Sequence, residues 1–152
     1  AISVLARALD ARLEIMNLGV VNEPGELPGV VRVQVASQTA NITQGAAMTV
    51  EQMQQAMQAG VQAAERAHAG HTQLYLCGDM GIGNTTSAAA LACAYLGLEA
   101  TRLVGPGTGL DKQGVAHKAD VVGRALKANQ AMLDKPADIL QALGGFEIAA
   151  MA

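Results

Sequence analysis

The glycine-rich run Cys77-Gly78-Asp79-Met80-Gly81-Ile82-Gly83-Asn84-Thr85-Thr86-Ser87 constrains this chain more than any other stretch. An apolar tetrad, residues 74–77, leads into it, and an alanine-rich pattern, residues 87–96, leads out. Strand, glycine turn and helix in that order put free backbone N–H groups at a helix N-terminus, where they can hold a phosphate. Glycines let that backbone approach an anion with no Cβ in the way. Thr85, Thr86 and Ser87 add hydroxyls and candidate N-caps at the same point. The plainer alternative is a turn that only joins a strand to a helix.

Two familiar nucleotide loops fit badly. Gly78 and Gly83 have triphosphate P-loop spacing, but Asn84 stands where the lysine that meets the β/γ charge is required. Gly81-Ile82-Gly83 lacks the third glycine of a dinucleotide fingerprint, because Thr86 occupies that place. A loop suited to a monophosphate remains. Gly105-Pro106-Gly107-Thr108-Gly109 repeats the device after the next apolar segment. In a parallel sheet both loops would lie at the C-terminal strand ends, where ligands bind, and could converge on one ribose phosphate. Lys118 lies about two turns into the following helical pattern, from where a long side chain could reach back to that phosphate. It could equally be a surface lysine like Lys112 and Lys127.

Strands alternating with helical patterns indicate an α/β fold in three layers, a mainly parallel Rossmann-like sheet with helices on both faces. With 152 residues the chain suits one domain, residues 1–152. One Phe, two Tyr and no Trp leave an aliphatic core of closely approaching helices. The expected strands are residues 15–21, 30–35, 74–77 and 101–104. An opening amphipathic helix carries Ile2, Leu5, Leu9 and Leu13 on one face. Thr49 with Gln52 forms a capping-box pattern that opens a helix to about His68. Its expected core face is Val50, Met53, Met57, Val61 and Ala64, a methionine stripe better explained by packing than by a cofactor. Residues 111–130 are expected to be helical, and Pro136 starts a short helix that Gly144-Gly145 ends.

Charge and composition exclude several function classes. A net charge of −3, with no basic stripe, argues against nucleic-acid binding. No run approaches the roughly 18 apolar residues of a membrane span. Cys77 and Cys93 lie in apolar stretches and read as reduced core residues of a cytoplasmic protein. His68, His71 and His117 have no metal-ligand spacing, and no nucleophile-elbow motif supports a hydrolase.

The run from Gly78 to Leu91, GDMGIGNTTSAAAL, resembles the signature loop of the nicotinate-nucleotide–dimethylbenzimidazole phosphoribosyltransferases. Val104-Gly105-Pro106-Gly107-Thr108-Gly109-Leu110-Asp111 is similar to a second motif of that family. Gly144-Gly145-Phe146-Glu147-Ile148-Ala149-Ala150-Met151 is similar to a third. The family loop usually carries Glu where this chain has Asp79.

The resemblance implies phosphoribosyl transfer from nicotinate mononucleotide to 5,6-dimethylbenzimidazole. The product is α-ribazole 5′-phosphate, the nucleotide of the cobalamin lower ligand. It implies a homodimer and no cofactor. By the same resemblance Asp79 is an active-site carboxylate. Gly81, Ile82, Gly83, Asn84, Thr85, Thr86, Gly105, Gly107, Thr108, Gly109 and Lys118 hold the substrate's phosphate and ribose. Asp79 could instead only cap neighbouring N–H groups, and its missing methylene would withdraw the charge from a positioned reaction.

The chain opens at Ala1 within a helical pattern and closes at Ala152 soon after the third motif. It therefore reads as the central fragment of a larger enzyme, whose general-base glutamate lies beyond that motif. On this expectation the residues here hold the phosphate but lack the base. A helix begun after Gly145 would leave its apolar face unburied. A non-catalytic ribonucleotide- or phosphate-binding module is the alternative function.

Overall fold

The computed structural model describes residues 2–152; the helical opening expected at Ala1 lies outside them. Two compact units follow one another along the chain, Ala1–Gln38 and Thr39–Ala152.

In the first unit a short helix, α1 (Ile2–Ala8), precedes two short strands, β1 (Ile15–Asn17) and β2 (Val30–Arg32). The strands pair in parallel with Ile15 opposite Val30 and Asn17 opposite Arg32. α1 is shorter than the apolar periodicity predicts, because Asp10 turns left-handed at φ 49° before Leu13 is reached. The strands too are shorter than expected. The N–H groups of Val33 and Gln34 both turn to the Asn17 carbonyl, and Gln34 takes a positive φ of 55°, which ends the ladder. The connection between the strands, residues 18–29, contains no helix. Its Glu23 carboxylate accepts from the Arg32 guanidinium at 3.1 Å and from the Asn17 amide at 3.2 Å, clasping the loop to both strands. None of the described residues of this unit is fully buried.

The second unit is helical and holds the core. Its first helix, α2 (Val50–Ala69), starts as its sequence directs. Thr49 Oγ1 accepts from the Gln52 N–H at 3.1 Å, and the Gln52 side chain accepts from the Thr49 N–H at 3.0 Å. Glu51, fully exposed in the first turn, has its carboxyl held below the usual range by its own backbone N–H and by the Thr49 hydroxyl. The buried face is not the expected one. Met53, Ala56, Ala59 and Ala63 are inside, whereas Val50, Met57, Val61 and Ala64 are exposed. Small side chains face inward because another helix lies very close: a Cβ on Gly60 would overlap the Ala150 carbonyl of α7 (Phe146–Met151). Phe146 and Ala149 are buried, so the apolar face launched by Gly144-Gly145 is covered, contrary to expectation.

The remaining core lies around α3 (Thr85–Leu96), which packs against α4 (Ala100–Leu103), α5 (Lys112–Ala128) and α6 (Pro136–Leu143). Pro136 opens α6 at its first turn as predicted. A backbone strap joins α6 to residues 47–48: Ala47 N–H bonds the Ala142 carbonyl at 2.9 Å, and Met48 N–H bonds the Gln141 carbonyl at 3.1 Å. Asn129, buried, donates from Nδ2 to the carbonyls of Ile42 and Ala125 and so fixes the loop before α2.

Two expected strands are absent from the second unit. Residues 74–77 take no regular secondary structure and are exposed, with Leu74 at 74% and Leu76 at 80%. No neighbouring strand among the described residues offers them a ladder. Cys77 is consequently exposed rather than in a core, while Cys93 is buried in α3. In place of the strand expected at 101–104, residues 101–103 lie in the helical turn of α4, and Val104 caps it with its N–H on the Ala100 carbonyl at 2.9 Å. The architecture is therefore α/β but helix-rich, with one parallel two-stranded sheet among the described residues.

Candidate functional site

Both glycine-rich loops end at helix N-termini, and the second unit brings them together even without the strands expected to carry them. The first loop turns tightly, with the Ile82 N–H on the Met80 carbonyl at 2.7 Å and Gly83 at φ 88°. It enters α3 at Asn84, which is the N-cap by position but makes no side-chain cap. Asn84 instead donates from Nδ2 to the Asp79 carboxylate across the loop. Thr85 and Thr86 are therefore first-turn helical residues rather than caps. The opening N–H groups of α3 have no partner within the helix, as at any uncapped N-terminus.

The second loop turns at Pro106, whose carbonyl accepts from the N–H groups of Gly109 and Leu110 at 3.1 and 2.9 Å. Asp111 then caps α5, accepting from the Gly114 N–H at 2.8 Å. That fixes the rotation of α5, so that one stripe of it faces the loops.

A cleft of about 330 Å³ lies between these parts. The first loop lines it with Gly81 and Gly83, and α3 with Thr85 and Thr86. The second loop adds Pro106, Gly107 and Thr108. From α5 come Gly114, His117, Lys118 and Val121, which share one helical face.

Lys118 is the centre of the cleft. It is only 7% exposed, unlike Lys112 and Lys127, which are surface residues. Its Nζ donates to Thr85 Oγ1 at 2.7 Å and makes no ion pair among the described residues. An ammonium has three donors, so two remain for something else. A buried cation without a counter-charge is costly, and an anion arriving in the cleft would relieve that cost. Gly107 permits the arrangement. It sits at φ 56°, and a Cβ there would stand 3.2 Å from Thr85 Oγ1 and 3.4 Å from Lys118 Nζ. A side chain there would be strained by the positive φ and would press on the Thr85 hydroxyl that accepts from Lys118.

Of the residues singled out from sequence, Gly81, Gly83, Thr85, Thr86, Gly107, Thr108 and Lys118 line the cleft. Asp79, Ile82, Asn84, Gly105 and Gly109 do not: Ile82 is 69% exposed, and Asp79 and Asn84 engage each other. His117, Gly114 and Val121 line it without having been selected. Gly114 and Val121 stand one turn before and after Lys118, a spacing legible in the sequence, whereas His117 immediately precedes it and carried no such signal. Among the described residues no group of three or more His, Cys, Asp or Glu is placed to hold a metal. No described helix is long and apolar enough to cross a membrane.

Comparison with known proteins covers the whole chain. A family model described as phosphoribosyltransferase matches residues 1–152. A nicotinate-nucleotide–dimethylbenzimidazole phosphoribosyltransferase of Xanthomonas axonopodis pv. citri is 54% identical over 151 residues. That of Pseudomonas fluorescens is 52% identical over 151 residues. Each alignment takes in 99% of this chain and 43% of the relative, so the chain spans under half the length of the curated relatives it matches. A crystal structure of CobT from Thermus thermophilus superposes with a TM-score of 0.88 at 41% identity, covering 99% of this chain and 45% of that one.

Proposed function

Because the chain belongs to the phosphoribosyltransferase family over residues 1–152, we propose that its cleft holds the 5′-phosphate of nicotinate mononucleotide for transfer of the phosphoribosyl group to 5,6-dimethylbenzimidazole. The product is α-ribazole 5′-phosphate. The carrying observation is Lys118, buried between the two glycine loops with two donors to spare. The names of the relatives supply the reaction.

In this reading the phosphate lies against Lys118, the Thr85 hydroxyl and the opening N–H groups of α3, where the helix dipole favours negative charge. That anchor fixes the ribose, so that C1′ faces an incoming base nitrogen. A bond forms from that nitrogen to C1′ as the bond to nicotinate breaks, with inversion. A proton then passes from the other nitrogen of the base to the general-base glutamate that the resemblance places beyond the third motif. The anchor supplies orientation, which separates an enzymatic transfer from a solution encounter. Asp79, restrained by Asn84, is the carboxylate nearest the loop entrance and serves the charge developing on ribose or base. Ile82, Gly105 and Gly109 shape the loops around the ligand.

Further expectations join this proposal. The parallel pairing of β1 with β2 and the likeness to a solved relative support a three-layer Rossmann-like sheet. Residues 1–152 form one α/β domain, the central part of a larger phosphoribosyltransferase. The protein works in the cytoplasm as a homodimer. Its substrates are small molecules.

Calorimetric titration with nicotinate mononucleotide tests the anchor. Lys118→Ala should weaken binding by roughly ten- to a hundredfold, the worth of a hydrogen bond to a charged group. Lys118→Met, which keeps the apolar stem, should weaken it equally if charge rather than packing is responsible. Absence of binding by the unaltered chain would overturn the reading. Turnover of nicotinate mononucleotide with 5,6-dimethylbenzimidazole by this chain alone would contradict the expectation that the general base lies outside these residues.

A further inference from the structure

The cleft has a second nitrogen base that neither the loops nor Lys118 account for. His117 stands on the α5 stripe that faces the cleft, immediately before Lys118, between Gly114 one turn earlier and Val121 one turn later. It is exposed where Lys118 is buried, so the two donors sit at different depths, His117 at the mouth and Lys118 on the floor. Its neighbours do not compete for it. Gly114 has no side chain, Val121 is apolar, and the Asp111 carboxylate at the head of the same helix is committed to the Gly114 N–H at 2.8 Å. The α3 residues facing the cleft, Thr85 and Thr86, are uncharged. Among the described residues no hydrogen bond or ion pair engages His117 itself.

Resting on the phosphate reading above, we propose that His117 is a second phosphate-binding residue, donating a ring N–H to the phosphate oxygen that points toward the mouth. A phosphate held on the floor by an ammonium and by helix N–H groups still presents an oxygen outward. An imidazole donates one N–H when neutral and two when protonated, so the contact needs no particular protonation state. The arrangement would select ligands that end in a phosphate over those that end in a single carboxylate, which cannot span both depths.

The test is calorimetric titration with nicotinate mononucleotide, together with displacement of that ligand by inorganic phosphate. The unaltered chain, His117→Ala and His117→Lys are compared. His117→Ala should weaken the mononucleotide and inorganic phosphate by the same factor, roughly five- to tenfold. His117→Lys should restore both. An undiminished affinity in His117→Ala would overturn the proposal. So would a loss confined to the mononucleotide, which would place His117 on the nicotinate or ribose. If inorganic phosphate fails to displace the mononucleotide even from the unaltered chain, the phosphate reading itself fails, and this proposal falls with it. Retained phosphate displacement with an indifferent His117 would remove this inference alone.

Discussion

Single residues in this chain differ most where sequence context made them look alike. Cys77 and Cys93 both lie in apolar stretches, yet one is exposed and the other is buried within α3. Burial pushes the Cys93 thiol up, and the nearby charge of Glu99 adds to the effect. Thiolate is the reacting species, so Cys93 is protected twice, by access and by protonation. With a disulfide reagent such as dithionitrobenzoate near neutral pH, one thiol per folded chain should react at once. The second should appear only in denaturant, and Cys77→Ser should abolish the fast phase. Two fast thiols would refute the packing of α3 described above. Lys118, Lys112 and Lys127 make the same point: three lysines on one helix, of which only the one facing the loops is buried.

At the scale of elements, helices were more legible than strands. The strands expected at 15–21 and 30–35 are present but shortened, and those expected at 74–77 and 101–104 are not. The capping box at Thr49, the Asp111–Gly114 pairing at the head of α5 and Pro136 at the head of α6 are local signals, complete within four residues, and each marks a helix start. A strand has no such local completeness. Residues 74–77 carry a fitting apolar pattern, but a ladder needs a neighbouring strand, and the sheet among the described residues pairs only β1 with β2. Residues 101–103 instead join a helical turn closed between Ala100 and Val104, which needs no neighbouring strand.

The buried face of α2 departs from its sequence pattern for a related reason. Size suggests Met57 and Val61 as core, whereas closeness of approach selects Ala56, Gly60 and Ala63. Gly60→Ala should accordingly lower stability, although alanine is the better helix former by up to about 1 kcal/mol. Forcing α2 and α7 apart costs about 1–3 kcal/mol. A fall in the urea midpoint without a change in slope would agree; a rise would contradict the contact. The loops of the candidate site were readable from their glycines. His117 was not, because its spacing rules out a metal site and its role emerges only beside Lys118 on one helical face.

For the whole molecule, the contrast between the two units governs how firmly each part is held. Every fully buried side chain among the described residues lies in Thr39–Ala152. The first unit relies on three paired positions and the Glu23 clasp. Amide hydrogen exchange on the isolated chain should therefore show rapid exchange through residues 2–38 and strong protection in the middle of α2, α3 and α6. Equal protection in both units would contradict this division. The close approach of Gly60 to Ala150 joins positions 90 residues apart in the sequence. On a ribosome, α2 emerges long before the helix that covers it. At ordinary elongation rates its alanine face waits on the order of ten seconds for α7. The sparing use of large apolar side chains on that face gives the nascent segment little with which to aggregate during the delay.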